Sequence, residues 1–287
     1  MEEQSSTPQR DSVGIPELEN GPWELHVVAR SDPGRKRQNN EDSYLVLDLF
    51  RGQAHPEGTR VLFDLDPVTL LLAVADGMGG HQSGEVASRV CMETLSGVLL
   101  TGLPRAPIAP FDGRLALMKG VEEANRVVCG LARQDSQYQG MGTTLTAALV
   151  TGTSVFVGQV GDSRAYLLRG GAITQLTKDQ TVGNSLLELQ PDAAISENVA
   201  SMLVQAIGVE PQVDVVVTEV QFQFGDMLLL CSDGLSKVVS AVEMAQIAGQ
   251  PGSLKAKAEG LIARANEGGG PDNITVVLSR IQRKGGD

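Results

Sequence analysis

The stretch LLLAVADGMGGHQSGEVAS, residues 70–88, constrains what this chain can fold into more than any other part of the sequence. Its first six residues, Leu70 to Ala75, are all apolar, and so short a run predicts a strand that is buried on both faces. Asp76 ends the run, and three glycines among the next four residues leave the backbone bare. A carboxylate followed by bare backbone suits an ion or a phosphate group, although a capping Asp in a strand-to-helix turn gives the same pattern.

Composition and charge exclude several classes of function. The chain has 287 residues, of which 41% are hydrophobic and 20% are charged, so it can bury a large core. A net charge of −12 makes nucleic acid and anionic membranes unexpected partners, so an anionic substrate needs a local cluster of positive charge. The separated cysteines predict buried thiols in a reducing compartment: Cys91, Cys129 and Cys231. Because there is no signal-peptide pattern and no apolar run long enough to cross a membrane, we expect a cytoplasmic protein. We also expect it to be a monomer.

The apolar periodicity predicts strands and helices after a polar tail at residues 1–20, which we expect to be flexible. Strands are predicted at 23–30, 44–47, 70–75, 213–224, 227–231 and directly after Asp272, and helices at 81–100, 114–133 and 252–266. Residues 140–150 are predicted to form a Gly turn that opens a β-rich run, and 154–176 an antiparallel meander of strands separated at 161–162 and 170–171. Residues 169–172 are predicted to form a hairpin turn and 101–113 a loop. Residues 177–212 give mixed signals, from which we predict a mobile insertion followed by a short helix, Val199 to Ile207.

Positive charge is concentrated at residues 35–37, Arg-Lys-Arg, directly before Glu41 and Asp42. An arginine can bind a phosphate dianion through two parallel hydrogen bonds, which makes the arginines better candidates than the lysine for an anion site. A solvated basic turn is the alternative.

Acidic residues recur at the ends of apolar strands: Glu41, Asp42, Asp76, Asp162, Asp233 and Asp272. Taken alone, Asp162 fits an ordinary turn residue. If several of these carboxylates converged without a counter-ion, each close pair would repel by about 4 kcal/mol at about 4 Å, against a total stability of about 5–15 kcal/mol. A converging set is therefore expected only around cations, and all-oxygen ligands favour magnesium or manganese. Two such ions about 3.5–4 Å apart can share a hydroxide that attacks phosphorus, so no Ser or Cys nucleophile is required.

Six motifs occur together in the order that a known family shows: RQNNEDS (37–43), ADGMGGHQSGEVAS (75–88), GMGTT (140–144), GDSR (161–164), CSDG (231–234) and GGPDN (269–273). They resemble those of the bacterial metal-dependent protein serine/threonine phosphatases, the protein phosphatase 2C-like or PPM family, over about residues 24–282. The resemblance implies an α+β fold, a four-layer α-β-β-α sandwich with two central antiparallel β-sheets. It also implies a single domain over 21–287, in which 177–208 form a flap-like segment.

The same resemblance implies roles for eight residues around manganese or magnesium ions, two of them tightly bound. By that likeness Asp76 bridges the two ions, the Gly77 carbonyl binds one of them, and Asp233 and Asp272 complete the other. Glu41 and Asp42 act through bound water or hydrogen bonds, and Asp162 with Asp233 holds a third, looser ion. Arg37 binds the substrate phosphate. Catalysis would then rest on Arg37, Asp76 and Asp233.

Two features depart from the family pattern. Many eukaryotic members have a His after the Asp-Gly pair, proposed as general acid, whereas this chain has Met78, as bacterial members do. His81 is a candidate for the proton donor, and a structural His at a helix start is the alternative. The flap-like segment has NVASMLVQ at 198–205 in place of the Arg- and Asn-bearing pattern expected before its short helix, which leaves substrate choice open.

The sequence therefore predicts a phosphatase that hydrolyses phosphoserine and phosphothreonine in proteins and opposes a bacterial Ser/Thr protein kinase. Its partners would be phosphorylated proteins, including a kinase or the substrates of one. One alternative is a catalytically idle regulator of the same fold that binds phosphoproteins, although no predicted ligand is lost. Another is a nucleotide-binding Gly-loop module, which fits less well because Gly77-Met78-Gly79 lacks the third Gly of GxGxxG and no GKS/T follows.

Overall fold

The structure is a computed structural model, which describes residues 23–58, 61–64, 69–79, 83–102, 112–192 and 195–284. The strands are β1 (Trp23–Asp32), β2 (Asp42–Asp48), β3 (Gln53–Ala54), β4 (Val61–Asp64), β5 (Thr69–Met78), β6 (Gly142–Thr143), β7 (Leu145–Thr151), β8 (Ser154–Val160), β9 (Arg164–Arg169), β10 (Ala172–Gln175), β11 (Val216–Gln221), β12 (Met227–Cys231) and β13 (Ile274–Arg283). The helices are α1 (Ser83–Gly102), α2 (Gly113–Gln134), α3 (Val182–Leu189), α4 (Glu197–Ala200), α5 (Asp233–Ser236), α6 (Ala241–Gly249) and α7 (Leu254–Glu267), with a 3-10 turn at Ser136–Tyr138. The predicted tail and most of the predicted 101–113 loop lie outside the described residues.

The described strands form two antiparallel sheets. One has the order β10-β9-β12-β13-β1-β4, and the other has the order β11-β8-β7-β5-β2-β3, with β6 added to the end of β5. The long pair at the centre of the first sheet joins β1 to β13 along ten residues of each strand. The predicted α+β fold with two antiparallel sheets is confirmed.

Three buried apolar clusters separate the four layers of a sandwich. The first lies between the sheets, the second between α1, α2 and the β5 sheet, and the third between α6, α7 and the β12 sheet. Strand β5 contributes to two of them, because its alternate side chains point to opposite faces. Leu70, Leu72 and Val74 pack in the first cluster, whereas Leu71, Ala73 and Ala75 pack in the second. This explains why the run has no polar face.

The β5 strand continues past its apolar run. We predicted that it ends at Ala75, but the ladder continues through Asp76, and Gly77 and Met78 pair with β6. The β-rich run predicted at 140–150 forms two strands, β6 and β7, and between them the Thr144 N–H donates to the Asp76 carbonyl at 2.9 Å.

The short helix predicted at Val199 to Ile207 is wrong. Helix α4 ends at Ala200, and Ile207 instead exchanges two backbone hydrogen bonds with Thr143, at 2.8 and 3.0 Å. Ile207 is 0% exposed in the second cluster, so its apolar character reflects this docking and not a helical face. Helix α6 was not predicted, although Ser240 and Glu243 form a capping box at its start.

None of the helices within the described ranges combines the length and the apolar character that a membrane span requires.

Candidate functional site

Two carboxylates meet at the end of the β2–β5 pair. Asp42 is the direct partner of Asp76 in the antiparallel register, so both side chains lie on the same face. The Asp76 backbone is fixed from both sides, because its N–H donates to Thr144 Oγ1 at 3.0 Å and its carbonyl accepts from Thr143 Oγ1 at 2.9 Å. The threonines of the GMGTT motif therefore hold Asp76 in place.

Residues from the other sheet close on this pair. Ser232, directly after β12, donates from Oγ to Asp42 Oδ2 at 2.7 Å and accepts the N–H of Thr275 at 2.9 Å. The next residue, Asp233, lies close enough to Asp76 for its negative charge to raise the pKa of the Asp76 carboxyl group. The site thus joins the ends of both sheets.

Asn273 organises the third part of the site, and the sequence analysis assigned it no role. Its Oδ1 accepts the N–H of Glu41 at 2.8 Å, and its Nδ2 donates to the carbonyls of Asn39 and Pro33 at 2.9 and 3.1 Å. Only 4% of Asn273 is exposed. The signal that could have found it is its place in the GGPDN motif, next to Asp272.

Asp272 and Arg37 form an ion pair at the rim. Arg37 Nη2 donates to Asp272 Oδ2 at 2.7 Å, and 53% of the Arg37 side chain is exposed. Glu41 lies near both, and burial raises the pKa of its carboxyl group while the Arg37 charge opposes that shift. The guanidinium group is therefore placed beside the carboxylates and open to solvent.

Gly77 permits a close approach of three segments. A Cβ atom at this position would lie 2.2 Å from the Gly84 carbonyl oxygen of α1 and 2.6 Å from that of Glu41. The Gly77 N–H donates to the same Glu41 oxygen at 3.2 Å. No side chain fits here, which explains the glycine directly after Asp76.

Asp162 lies in the turn between β8 and β9, where 7% of its side chain is exposed. The Lys237 Nζ lies 3.5 Å from Asp162 Oδ2 and also contacts Asp233 Oδ2. Lys237 is not among the residues predicted from the sequence, although its position four residues after Asp233 predicts such a contact in a helix.

The base of the flap-like segment is anchored to the Asp162 turn. Arg164 binds Asp179 through Nε and Nη2, at 2.8 and 2.6 Å. Next to this pair, Gln180 donates its N–H to the Gly161 carbonyl at 3.0 Å and accepts the Gly161 N–H on its side chain at 2.7 Å.

Burial and mutual repulsion disfavour the charged form of the converging acids. Burial raises the pKa of Asp42 to about 7 against the hydrogen bonds from Thr275 and Ser232, and the charge of Asp233 adds to the rise. Burial, and then the charge of Asp42, raise the pKa of Asp76 well above its usual value. Burial also raises the pKa of Asp162 to about 6. These shifts indicate a site short of positive charge.

The chemistry of the donors fits a hard divalent cation. Asp42 Oδ1 and Asp233 Oδ1 are buried oxygens without a hydrogen-bond donor, which is costly unless a cation compensates. Every candidate ligand is an oxygen, the donor type that magnesium and manganese prefer. Among the described residues, no three His, Cys, Asp or Glu side chains stand in a ready-made metal-binding cluster, and Asp233 and Asp272 each contact a basic side chain.

Met78 cannot supply a proton, since its thioether has none to give. Its Cε would lie 2.7 Å from a Cβ atom on Gly142, so the side chain packs against β6. The other candidate, His81, lies outside the described residues.

Comparisons with known proteins extend over most of the chain. A family model described as Protein phosphatase 2C matches residues 60–260. Serine/threonine phosphatase stp of Listeria innocua is 37% identical over 268 residues, which cover 92% of this chain and 99% of that protein. Serine/threonine protein phosphatase PstP of Mycobacterium tuberculosis is 36% identical over 260 residues, which cover 90% of this chain and 45% of that protein. A crystal structure of the PstP catalytic domain in complex with two manganese ions has a TM-score of 0.73 and 35% identity, and covers 91% of this chain and 99% of that one.

Proposed function

The chain belongs to the protein phosphatase 2C family of bacterial protein serine/threonine phosphatases, and on this premise we propose that it hydrolyses phosphoserine and phosphothreonine with the help of divalent cations. The observation that carries the proposal is the meeting of Asp42, Asp76 and Asp233 from both sheets, with two buried carboxylate oxygens that lack a donor. Such a set has little use as scaffold, because it costs stability unless cations bind.

We assign the metal ligands by combining this geometry with the family resemblance. Asp76 would bridge two manganese or magnesium ions, with the Gly77 carbonyl, Asp233 and Asp272 as further ligands. Glu41 and Asp42 would act through bound water or hydrogen bonds, and Asp162 with Asp233 would be the place of a third, looser ion. When bound, the ions would lower the pKa of a water molecule and offset the charge that develops on the phosphoryl group.

Arg37 would bind and orient the substrate phosphate. Its guanidinium group is exposed beside Asp272, and its planar donors match two phosphate oxygens. Binding would exchange the Asp272 contact, in whole or in part, for contacts to the phosphate. The residue therefore contributes to substrate positioning more than to the stability of the fold.

The proposal also covers the substrates of the protein, its location in the cell and its oligomeric state. Phosphorylated proteins, among them a Ser/Thr kinase or its targets, would be the substrates, and the protein would act as a cytoplasmic monomer. One domain over 21–287, with 177–208 as its flap-like segment, stays our prediction. A radiolabelled, autophosphorylated bacterial Ser/Thr kinase should lose its label on incubation with the protein and Mn²⁺, and label that persists would contradict the kinase partnership.

Phosphate release from a phosphothreonine peptide tests the activity. We expect turnover with Mn²⁺ that stops on addition of excess EDTA and returns when Mn²⁺ is restored. Turnover that is indifferent to EDTA, or no turnover by folded protein with metal, would contradict the proposal. Calorimetry distinguishes this phosphatase from the alternative, a catalytically idle regulator. Such a regulator would bind the phosphopeptide equally well with and without metal and would release no phosphate.

A further inference from the structure

Lys237 lies between two of the acidic residues. It follows α5, and its Nζ contacts Asp233 Oδ2 and lies 3.5 Å from Asp162 Oδ2. The carboxylates come from separate segments, since Asp162 belongs to the turn between β8 and β9 and Asp233 begins α5. One ammonium group therefore serves two carboxylates that the fold brings together from segments about 70 residues apart, since β9 and β12 are neighbours in one sheet.

The two carboxylates are largely buried, whereas the Lys237 side chain is partly exposed to solvent. The Asp162 and Asp233 side chains are 7% and 13% exposed, whereas that of Lys237 is 47% exposed. The two carboxylates have little access to water, so a neighbouring cation stabilises them strongly. Lys237 reaches them from the solvent side on a flexible stem, which allows it to leave without moving the backbone.

We propose that the Lys237 ammonium is the resident cation of the Asp162–Asp233 pair and competes with a divalent ion for the same oxygen atoms. The inference rests on the proposed function, because it concerns the third, looser ion of that centre. An ion that binds both Oδ2 atoms takes the atoms that Lys237 contacts, so Nζ must move away first. Breaking those contacts costs free energy, which lowers the affinity of the site for the third ion.

As a consequence, the Lys237 side chain supplies part of the positive charge of the metal centre. The first two ions would be held by Asp76, Gly77, Asp233 and Asp272, and Asp233 Oδ1 is a buried oxygen that lacks a hydrogen-bond donor. The third would bind only at metal concentrations high enough to displace Lys237. Occupancy of the third position therefore depends on residue 237, although residue 237 is not a metal ligand.

Calorimetric titration of Mn²⁺ into the full chain tests the competition directly and does not depend on activity. Lys237→Met keeps the apolar stem and removes the charge. We expect wild type to bind two ions and a third weakly, and Lys237→Met to bind the third roughly tenfold more tightly, about the effect of removing one half-buried competing charge. Lys255→Met is the matched control, because Lys255 forms an i,i+4 pair with Glu259 on α7, and it should leave all three affinities unchanged.

Two further variants keep the test decisive. Lys237→Gln should reproduce the gain if Lys237→Met folds poorly, and Asp162→Asn combined with Lys237→Met should remove it. A third-ion affinity that stays within about twofold of wild type in both Lys237 variants would overturn the inference, because competition of this kind predicts roughly tenfold. Failure of the first two ions to bind to wild type would contradict the proposed function, which separates the two results.

Discussion

Asp42 lies directly opposite Asp76 in the antiparallel β2–β5 ladder, so two carboxylates stand side by side at the end of a strand that is buried on both faces. Like charges at directly opposed positions of a sheet destabilise the pair. The fold tolerates this pair next to a third carboxylate, Asp233. The arrangement therefore lowers the stability of the metal-free protein and raises its affinity for cations.

Replacing Asp42 by Asn should make the protein more stable in EDTA. The change keeps the shape and leaves an acceptor for Ser232, while it removes a buried charge opposite Asp76. We expect the free energy of unfolding in EDTA to rise by about 1 kcal/mol, and the stabilisation gained from added Mn²⁺ to shrink. Thermal unfolding with and without Mn²⁺ measures both effects, and a lower melting temperature of Asp42→Asn in EDTA would refute the repulsion.

Removal of the Arg37 side chain should affect substrate use far more than stability. Because the ion pair with Asp272 is half exposed, Arg37→Ala should change the free energy of unfolding by less than about 1 kcal/mol. The loss of a two-point phosphate contact should lower kcat/KM for a phosphopeptide by about 10- to 100-fold, with Arg37→Lys in between. The matched control is Lys36→Ala, which removes the neighbouring exposed cation. Equal kinetics of the Arg37 and Lys36 variants would contradict the assigned role.

A single methyl group at Gly77 should disrupt the site. The Cβ atom would lie 2.2 Å from the Gly84 carbonyl oxygen, which is backbone and cannot swing away. We expect Gly77→Ala to lower the free energy of unfolding by about 2–4 kcal/mol. Gly97→Ala is the matched control, because nothing lies within 4 Å of a Cβ atom at this position of α1. This change should raise the free energy of unfolding by about 0.5–1 kcal/mol, since alanine favours the helix more than glycine does. Denaturant unfolding of both variants decides, and equal effects would contradict the close approach.

The Arg164–Asp179 pair should hold the base of the flap-like segment. Asp179→Asn keeps the shape but leaves a partly buried guanidinium without its charged partner. We expect a loss of about 2–3 kcal/mol in the free energy of unfolding. Limited proteolysis should also cut faster within 182–208, because the weakened Arg164–Asp179 contact lies next to the Gln180–Gly161 hydrogen bonds that anchor this segment. Asp192→Asn is the exposed control, and unchanged cleavage in Asp179→Asn would contradict this role.

The fold could be predicted where local pattern and tertiary environment agree. Strand β12 was predicted from end to end, because Met227 to Cys231 is apolar throughout and is followed by the polar residues Ser232 and Asp233. Residues 199–207 show the opposite case. Their helical spacing of apolar side chains was misleading because Ile207 docks against Thr143, a contact that no local pattern encodes.

The candidate site could be predicted as a set of residues but not as a geometry. The six motifs named the carboxylates, whereas the pairing of Asp42 with Asp76 depends on the register of strands more than 20 residues apart in sequence. Asn273 and Lys237 escaped attention for different reasons. The first carries no charge, and the second resembles any exposed lysine until the turn holding Asp162 is folded against it.

The proposed role of Asp76 as the bridge between two ions is tested most directly by the number of Mn²⁺ ions that the folded protein binds in calorimetry. We predict two well-bound ions in wild type, fewer than two in Asp76→Asn, and a parallel fall of phosphopeptide turnover by about 10³-fold or more. Asp192→Asn should match wild type in both measurements. Two ions bound by Asp76→Asn with wild-type affinity, together with turnover close to wild type, would contradict the bridging role.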